Sequence, residues 1–315
     1  MYNNAMKKLK QCGLAFLSFI LLFLLATFIF HRISLEKEQA SLTPMGQQVL
    51  VDGHQMNVYV EGNGPETIVV LSGAGIASPI LDFKEVSESL SKRYKVVIVE
   101  RAGYGYSDDS NHSRDVMEVL SETRQALSQA NVKGPFIILS HSMASLESLA
   151  WQEKFPDEVK ALIGLDWALP ASYENLKQNQ ALITVAFWSS KIGLLRHFPE
   201  SFYIKNRTLI ETERKQYKIL AYKQLMSQAM LHESQTVKEN AKKVPSSINP
   251  KIPTLLLVSN GQGTSFGQSE WQHFAEKFAS EQSNVKVIYM DAPHDLYHYQ
   301  NHEVVSRIED FLKRN

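Results

Sequence analysis

The chain has 315 residues, of which 44% are hydrophobic and 21% are charged, a composition that supports a large globular core. Its 33 basic and 33 acidic residues give a formal net charge of zero, and no Lys/Arg-rich block lies beyond the N-terminus, so we expect no nucleic-acid partner. The single cysteine, Cys12, excludes an intramolecular disulfide, and no Cys/His cluster with metal-ligand spacing is present.

The first predicted element is an uncharged apolar run at residues 12–30, which is about long enough to span a bilayer. Lys7, Lys8 and Lys10 precede it, so the positive-inside rule predicts a cytoplasmic N-terminus at 1–11 and a remainder outside the cytoplasm. A cleaved signal peptide is the alternative, but its apolar core is usually about 7–15 residues long and ends at small residues. The length and the missing small-residue site favour a membrane anchor.

A polar linker is predicted at 31–46, and after it short β-like runs alternate with helix-like stretches. Several of the runs are nearly continuous in Val, Ile and Leu, which is typical of strands buried on both faces, and the alternation predicts a mostly parallel sheet covered by helices. The first two runs read as an antiparallel hairpin around Asp52-Gly53. Strands are predicted at 47–52, 55–61, 67–72, 95–100, 135–140, 160–166, 254–259 and 285–290, and helices at 79–93, 114–130, 143–155, 267–281 and 302–314.

The alternation is interrupted once, by a helix-rich stretch at residues 168–248 that lacks strand-like runs. Such an insertion would lie over the carboxyl ends of the strands, where open α/β sheets bind ligands. We therefore predict a core formed by residues 47–167 and 249–315, with residues 168–248 as a helical cap.

The most informative motif surrounds Ser142, which follows the strand "FIILS" and opens the helix "MASLESLAWQEKF". A nucleophile on a tight strand-to-helix turn needs small residues two positions before and after it. Ser140 and Ala144 occupy these positions, giving S-x-S-x-A rather than G-x-S-x-G. Considered alone, Ser142 reads equally well as a nucleophile or as a simple helix N-cap.

The segment "ILSHSMASLESLAWQEKFPDEVKALIGLD" resembles the nucleophile-elbow region of the α/β-hydrolase superfamily. Three further segments resemble that family in the expected order, "GHQMNVYVEGNGPETIVVLSGAG", "VVIVERAGYGYSD" and "IPTLLLVSNGQG", so the likeness covers about residues 47–315 apart from the insertion. It implies the α/β-hydrolase fold: a mostly parallel eight-stranded sheet with helices on both faces and a helical cap, here preceded by one transmembrane helix. It also implies that Ser142 is a nucleophile.

The resemblance places the general base in the loop after the last strand, where His294 lies in "VIYMDAPHDLYHYQ". A neutral imidazole there can take the serine proton and return it to the leaving group. His298 is the alternative, but the interval to the last helix matches the family better for His294. We expect His141, His197 and His273 to be ordinary solvent-exposed loop histidines.

The acid that orients the base is harder to assign. The family usually takes it from the loop after the penultimate strand, where "SNGQG" offers only the uncharged Asn260 and Gln262. Asp166 ends the preceding strand in a "GLD-x-A-x-P" context similar to pancreatic-type lipases, and this likeness favours Asp166. It could instead only cap the following turn, and Asp291 is a more distant alternative.

Oxyanion donors in this family are two backbone N–H groups. One belongs to the residue after the nucleophile, here Met143. The resemblance of "LSGAG" to the family's H-G-x-G loop implies Ala74 as the other, with Ser72 in place of the histidine. Gly73 and Gly75 would let this backbone approach the substrate closely.

These residues together predict a membrane-anchored serine hydrolase that cleaves a carboxylic ester or a related small acyl compound outside the cytoplasm. The mechanism passes through an acyl-enzyme and calls for no metal and no organic cofactor. Two alternatives remain at this stage, because a fold alone does not settle a reaction. One is a catalytically silent binding module, and the other is a peptidase or another hydrolase of the same fold.

Overall fold

An eight-stranded sheet forms the centre of the computed structural model, which describes residues 2–315. Its strands lie side by side in the order β1-β2-β4-β3-β5-β6-β7-β8, and only the β1–β2 and β2–β4 pairs are antiparallel. Every predicted strand is present, with ends that differ by at most one residue. The strands are β1 (Gln47–Val51), β2 (His54–Glu61), β3 (Thr67–Leu71), β4 (Lys95–Glu100), β5 (Phe136–His141), β6 (Val159–Leu165), β7 (Thr254–Val258) and β8 (Val285–Tyr289).

Two apolar layers, one on each face of the sheet, explain the unbroken hydrophobic runs. Successive side chains of a strand point to opposite faces. In β3, Val69 and Leu71 therefore join one buried cluster, whereas Ile68 and Val70 join the other. All five residues of β3 are buried. A polar residue at any position from 68 to 71 would face an apolar layer, so this part of the strand does not alternate between apolar and polar residues.

Helices cover both faces of the sheet and form the cap. The predicted helix at 79–93 is split at Phe83, and the other four predicted core helices are observed within two residues of their predicted ends. The helices are α1 (Tyr2–Gln39), α2 (Pro79–Asp82), α3 (Lys84–Leu90), α4 (Val116–Gln129), α5 (Ser145–Lys154), α6 (Pro170–Asn175), α7 (Gln180–Ile192), α8 (Glu211–Gln224), α9 (Gln228–Lys243), α10 (Gln268–Ser280), α11 (Leu296–Tyr299) and α12 (Asn301–Leu312).

The segment between β6 and β7 contains the helices α6 to α9. The Asn179 side chain accepts a hydrogen bond from the Leu182 N–H at 3.2 Å and so begins α7. Gly193 ends α7 with φ +90°, and a Cβ at this position would run into the side chain of His31 in α1. A glycine is therefore required where the end of α7 meets the N-terminal helix.

The N-terminal helix α1 is one continuous element that extends beyond the predicted anchor. It continues through residues 31–39, the first part of the segment predicted as a polar linker. By length and composition α1 can cross a membrane, although an N-terminal signal sequence passes the same test. The helix persists past residue 30 because the cap packs against it, which buries Leu35.

Arg196, which follows α7, makes the main polar contacts between the cap and α1. Its two terminal nitrogens donate to the Glu38 carboxylate at 2.9 and 2.6 Å, and its Nε donates to His31 Nδ1 at 2.9 Å. One turn further toward the N-terminus of α1, Thr27 Oγ1 lies 3.2 Å from His197 Nε2. A two-pronged guanidinium–carboxylate pair is a directional contact, so α1 is docked on the cap rather than loosely tethered.

Replacing Arg196 by alanine should loosen this docking. We expect Arg196→Ala to lower the opening free energy of residues 31–39 by about 1.5–3 kcal/mol, the usual contribution of a hydrogen bond to a charged group. Hydrogen–deuterium exchange of the full chain measures this change. Arg214→Ala, which removes a more exposed pair with Glu200 (2.9 Å), is the control and should leave these amides unchanged. Equal exchange in both variants would contradict the docking.

Candidate active site

Ser142 lies on a sharp turn at the carboxyl end of β5. Its φ is +53°, in the left-handed region that residues other than glycine rarely adopt. A 3-10 turn at Ser142–Ala144 follows directly and leads into α5. The Ser142 carbonyl accepts a hydrogen bond from the Ala168 N–H at 3.1 Å, which ties the turn to the segment after β6. The strained turn holds the Ser142 side chain out from the end of the strand.

Ser140 replaces the usual first glycine of the elbow, and its side chain is fully paired. The Ser140 hydroxyl accepts hydrogen bonds from the Trp167 indole N–H at 2.8 Å and from the Ser148 hydroxyl at 2.7 Å. Ala144 at the second small position is buried. The S-x-S-x-A pattern is thus compatible with the turn, because buried polar partners satisfy the extra hydroxyl.

His294 lies within hydrogen-bonding distance of both Ser142 and Asp166. Its Nε2 is 2.8 Å from Ser142 Oγ, and its Nδ1 is 2.5 Å from Asp166 Oδ2. The His294 backbone N–H donates to the Gln262 carbonyl at 2.8 Å, which fixes the loop after β8 against the loop after β7. The edge of the Trp271 ring packs against the imidazole, with 5.7 Å between ring centroids. The structure therefore brings these three predicted site residues together.

Asp166 is fully buried and has φ +49°, so it also occupies the left-handed region. Its Oδ1 accepts two hydrogen bonds, one from the Ser259 backbone N–H at 2.7 Å and one from the Trp271 indole at 2.8 Å. A buried carboxylate is costly unless its lone pairs are satisfied. These donors satisfy Oδ1 and leave Oδ2 directed at His294.

The competing candidates lie outside this hydrogen-bond chain. His298 Nε2 lies 3.2 Å from Asp82 Oδ1, and both side chains are buried. Asn260 donates to the exposed Asp291 at 3.0 Å. Gln262 contacts His294 through its backbone carbonyl. The geometry thus pairs His294 with Asp166 rather than with any of the alternatives.

The predicted oxyanion loop lies directly against the elbow. A Cβ added at Gly73 would come within 2.7 Å of His141 Nδ1 and 3.0 Å of Ser142 Cβ, so the close approach requires a glycine. The buried Arg101 donates to the Gly73 carbonyl at 3.4 Å and supports the loop from behind. Ala74, the next residue, is exposed. The arrangement suits a backbone N–H at Ala74 that acts beside the N–H of Met143.

His141 differs from its prediction as an exposed loop histidine, because it is buried beneath the site. Its ring packs 4.7 Å from the His294 ring, and its Nε2 lies 3.3 Å from the His294 carbonyl. Burial, followed by the charge of His294, holds the pKa of His141 well below its ordinary value. His141 is therefore a neutral ring, and it supports the loop that carries His294. His197 and His273 are exposed as predicted, but His273 lies within helix α10 rather than in a loop.

An apolar cavity of about 160 Å³ opens beside Ser142 and His294. The cap contributes Tyr173 and Leu176 to its wall, and the core contributes Phe266 and Trp271. Larger surface depressions exist, such as one of about 620 Å³ near Arg124, but they lie away from these side chains. The cavity offers an apolar group of a substrate a place within reach of the serine hydroxyl.

Comparison with known proteins places the chain in a family. A family model described as the alpha/beta hydrolase fold matches residues 67–198. The chain is also 33% identical, over 318 residues and 98% of each chain, to the uncharacterized protein YbdG of Bacillus subtilis (strain 168). The chain belongs to the α/β-hydrolase family. An esterase from Exiguobacterium antarcticum shares the fold with a TM-score of 0.65 and 16% identity, covering 85% of this chain and 100% of that one.

A second solved structure matches this chain over more of the chain's length than the esterase does. It is a bacterial membrane phospholipase A, which covers 97% of this chain and 98% of its own with a TM-score of 0.60 and 18% identity. At this identity the likeness concerns the fold. Its larger coverage of this chain distinguishes it from the esterase.

Trp271 and the Ser259 N–H were not predicted as parts of this α/β-hydrolase site. Both hold the Asp166 carboxylate, yet one lies in an amphipathic helix and the other at a strand end. Neither position carries a local motif, so only the fold reveals the contact. The position of Asp166 at the end of β6, by contrast, was visible in the sequence.

The pKa of His294 should control how fast Ser142 reacts with an organophosphorus electrophile. Burial alone lowers the pKa of His294, but the hydrogen bond and charge of Asp166 outweigh burial and raise it above 6.5. The reaction needs the neutral imidazole, so we expect the labelling rate to rise through an inflection above pH 6.5. Asp166→Asn should lower the plateau by about 10⁴-fold and move the inflection to lower pH.

Asp291→Asn is the matched control for this measurement. It makes the same chemical change three residues from His294, at an exposed carboxylate outside the hydrogen-bond chain. We expect its pH profile to match that of the unmodified protein. A profile of Asp166→Asn that also matched would remove Asp166 from the role of orienting acid.

Proposed function

We propose that this α/β hydrolase is a membrane-anchored serine hydrolase that cleaves a carboxylic ester or a related acyl compound. Ser142 is the nucleophile, His294 the general base and Asp166 the orienting acid. The observation that carries the proposal is the continuous hydrogen-bond chain from Ser142 Oγ through the His294 ring to Asp166, next to an apolar cavity. Acyl transfer needs a nucleophile that is hydrogen-bonded to a base, and a third group that orients the base.

The reaction follows from the positions of these groups. His294 Nε2 accepts the proton of the Ser142 hydroxyl as Oγ attacks the acyl carbon, and the N–H groups of Ala74 and Met143 stabilise the oxyanion. Collapse of the tetrahedral intermediate expels the alkoxide, which takes the proton from the imidazolium. A water molecule then attacks the acyl-enzyme with His294 again as the base, and this step releases the acid and restores Ser142.

The size of the cavity supports a substrate with a short acyl group. A cavity of about 160 Å³ is smaller than the roughly 300–1,000 Å³ of sites that enclose drug-sized ligands. Leu176, at the end of α6, closes the cap side of this space. Longer acyl chains would have to displace that side chain or extend into solvent.

The N-terminal helix supports a location at the membrane. Residues 12–30 form the uncharged part of α1, and the preceding lysines favour a cytoplasmic N-terminus with the hydrolase domain on the other side. The His197 ring of the cap packs 5.4 Å from the Phe23 ring, within the apolar run. Phe23 lies inside the predicted span, so a cap docked in this way would reach into the apolar layer of the bilayer. The likeness to a membrane phospholipase A over 97% of this chain agrees with a location at the membrane.

Replacing the nucleophile is the decisive test of the enzyme proposal. We expect a fluorophosphonate probe to label the full chain and Ser142→Ala to abolish labelling while lowering ester turnover by about 10⁴-fold or more. Ser121→Ala is the matched control, because its hydroxyl is exposed on α4 and is not part of the hydrogen-bond chain. Labelling of Ser142→Ala would exclude Ser142 as the nucleophile, and no labelling of the unmodified chain would favour a catalytically silent module.

The cavity also predicts acyl-chain selectivity among p-nitrophenyl esters. We expect kcat/KM for the butanoate to exceed that for the hexadecanoate by about tenfold or more, because only the short chain fits beside Ser142. Leu176→Ala should raise kcat/KM for the long ester selectively. Leu182→Ala, which changes an exposed cap leucine outside the cavity, should not. Equal kcat/KM for both esters would refute this pocket assignment.

A further inference from the structure

Two histidines and one glutamate from distant parts of the chain converge away from the Ser142 pocket. His54 begins β2, His112 lies in the loop between β4 and α4, and Glu122 lies in the second turn of α4. His54 Nε2 is 4.0 Å from Glu122 Oε1, and His112 Nδ1 is 3.9 Å from the same oxygen. The three ligand atoms lie within 4.8 Å of one another.

The His54 ring supplies a second, independent observation that points to a ligand. His54 is only 7% exposed, and neither of its ring nitrogens has a hydrogen-bond partner among residues 2–315. A buried polar atom without a partner is costly and calls for an explanation. The distance of 4.0 Å between His54 Nε2 and Glu122 Oε1 is too long for a hydrogen bond, but the imidazole nitrogen lies next to that carboxylate oxygen.

We propose that His54, His112 and Glu122 bind a divalent late first-row cation, for which Zn²⁺ is the best match, with water as the fourth ligand. Two imidazoles and one carboxylate form a known three-ligand set for four-coordinate zinc. Ligand distances of about 2.0–2.2 Å place the ligand atoms about 3.3–3.5 Å apart. The observed separations therefore need a contraction of about 0.5–1.5 Å.

The surroundings of the cluster suit such a site. Arg114 Nη1 donates to Glu122 Oε2 at 2.7 Å, which orients the carboxylate and leaves Oε1 facing the imidazoles. The two imidazole rings meet edge to face with 5.4 Å between centroids. The His112 side chain is 51% exposed and lies on a loop, so it provides both an entry path and the movement that closure requires. None of the three ligands lines the cavity beside Ser142.

Titration of the full chain with ZnCl₂ tests the site directly. The protein, purified without a histidine tag and stripped of metal by a chelator, should bind one equivalent of Zn²⁺ by calorimetry and metal analysis. His112→Ala should weaken binding by at least about tenfold, since even changes to residues behind a ligand cost about 10–100-fold. His273→Ala is the matched control, because it removes an exposed histidine 3.8 Å from Glu276. Its affinity should be unchanged.

Thermal unfolding shows whether a loss of Zn²⁺ binding in His112→Ala comes from a folding defect. His112 is an exposed loop residue, so the metal-free melting temperature of His112→Ala should equal that of the unmodified chain. Zn²⁺ should raise the melting temperature of the unmodified chain and of His273→Ala but not of His112→Ala. Absence of saturable binding to the unmodified chain, or equal affinity in His112→Ala, would overturn the proposal.

Discussion

The left-handed turn at Ser142 is the constraint on which the rest of the site depends. A residue with a side chain adopts φ +53° only where the surrounding structure compensates the strain. Here the compensation comes from a parallel sheet buried on both faces and from the hydrogen bond between the Ala168 N–H and the Ser142 carbonyl. The turn holds the Ser142 hydroxyl at the carboxyl edge of the sheet, where the loops after β6 and β8 begin. A single strained residue thus determines which loops can contribute to the chemistry.

The other left-handed residue of the site, Asp166, shows how the proposed acid can follow β6 instead of β7. Strands β6 and β7 are neighbours, so a carboxylate at the end of either one lies near the imidazole. Full burial of Asp166 is tolerable only because the Ser259 N–H and the Trp271 indole satisfy its other oxygen. With that support in place, the loop after β7 needs no acidic residue. It instead contributes backbone, through the Gln262 carbonyl that accepts from the His294 N–H.

The sequence predicted what local patterns encode and missed what only tertiary contacts create. Buried strands have unbroken apolar runs, so all eight were located from the sequence alone, and the family-like segments pointed to Ser142 and His294. The burial of His141 was missed because its neighbours in the sequence say nothing about Phe83 and Tyr297, which cover it. The convergence of His54 with α4 was missed for the same reason: no spacing along the chain relates a strand start to a helix turn.

The docking of α1 on the cap restricts how the N-terminal helix can move relative to the rest of the protein. A flexible linker at 31–46 would let the domain move freely above a bilayer, whereas a helix continuous to Gln39 and paired with Arg196 holds it in one orientation. The same cap supplies Tyr173 and Leu176 to the wall of the cavity. Any force or lipid contact that displaces α1 therefore acts on the element that closes the proposed acyl site. The proposed anchor and the proposed pocket both contact the cap, so the proposed function couples them through it.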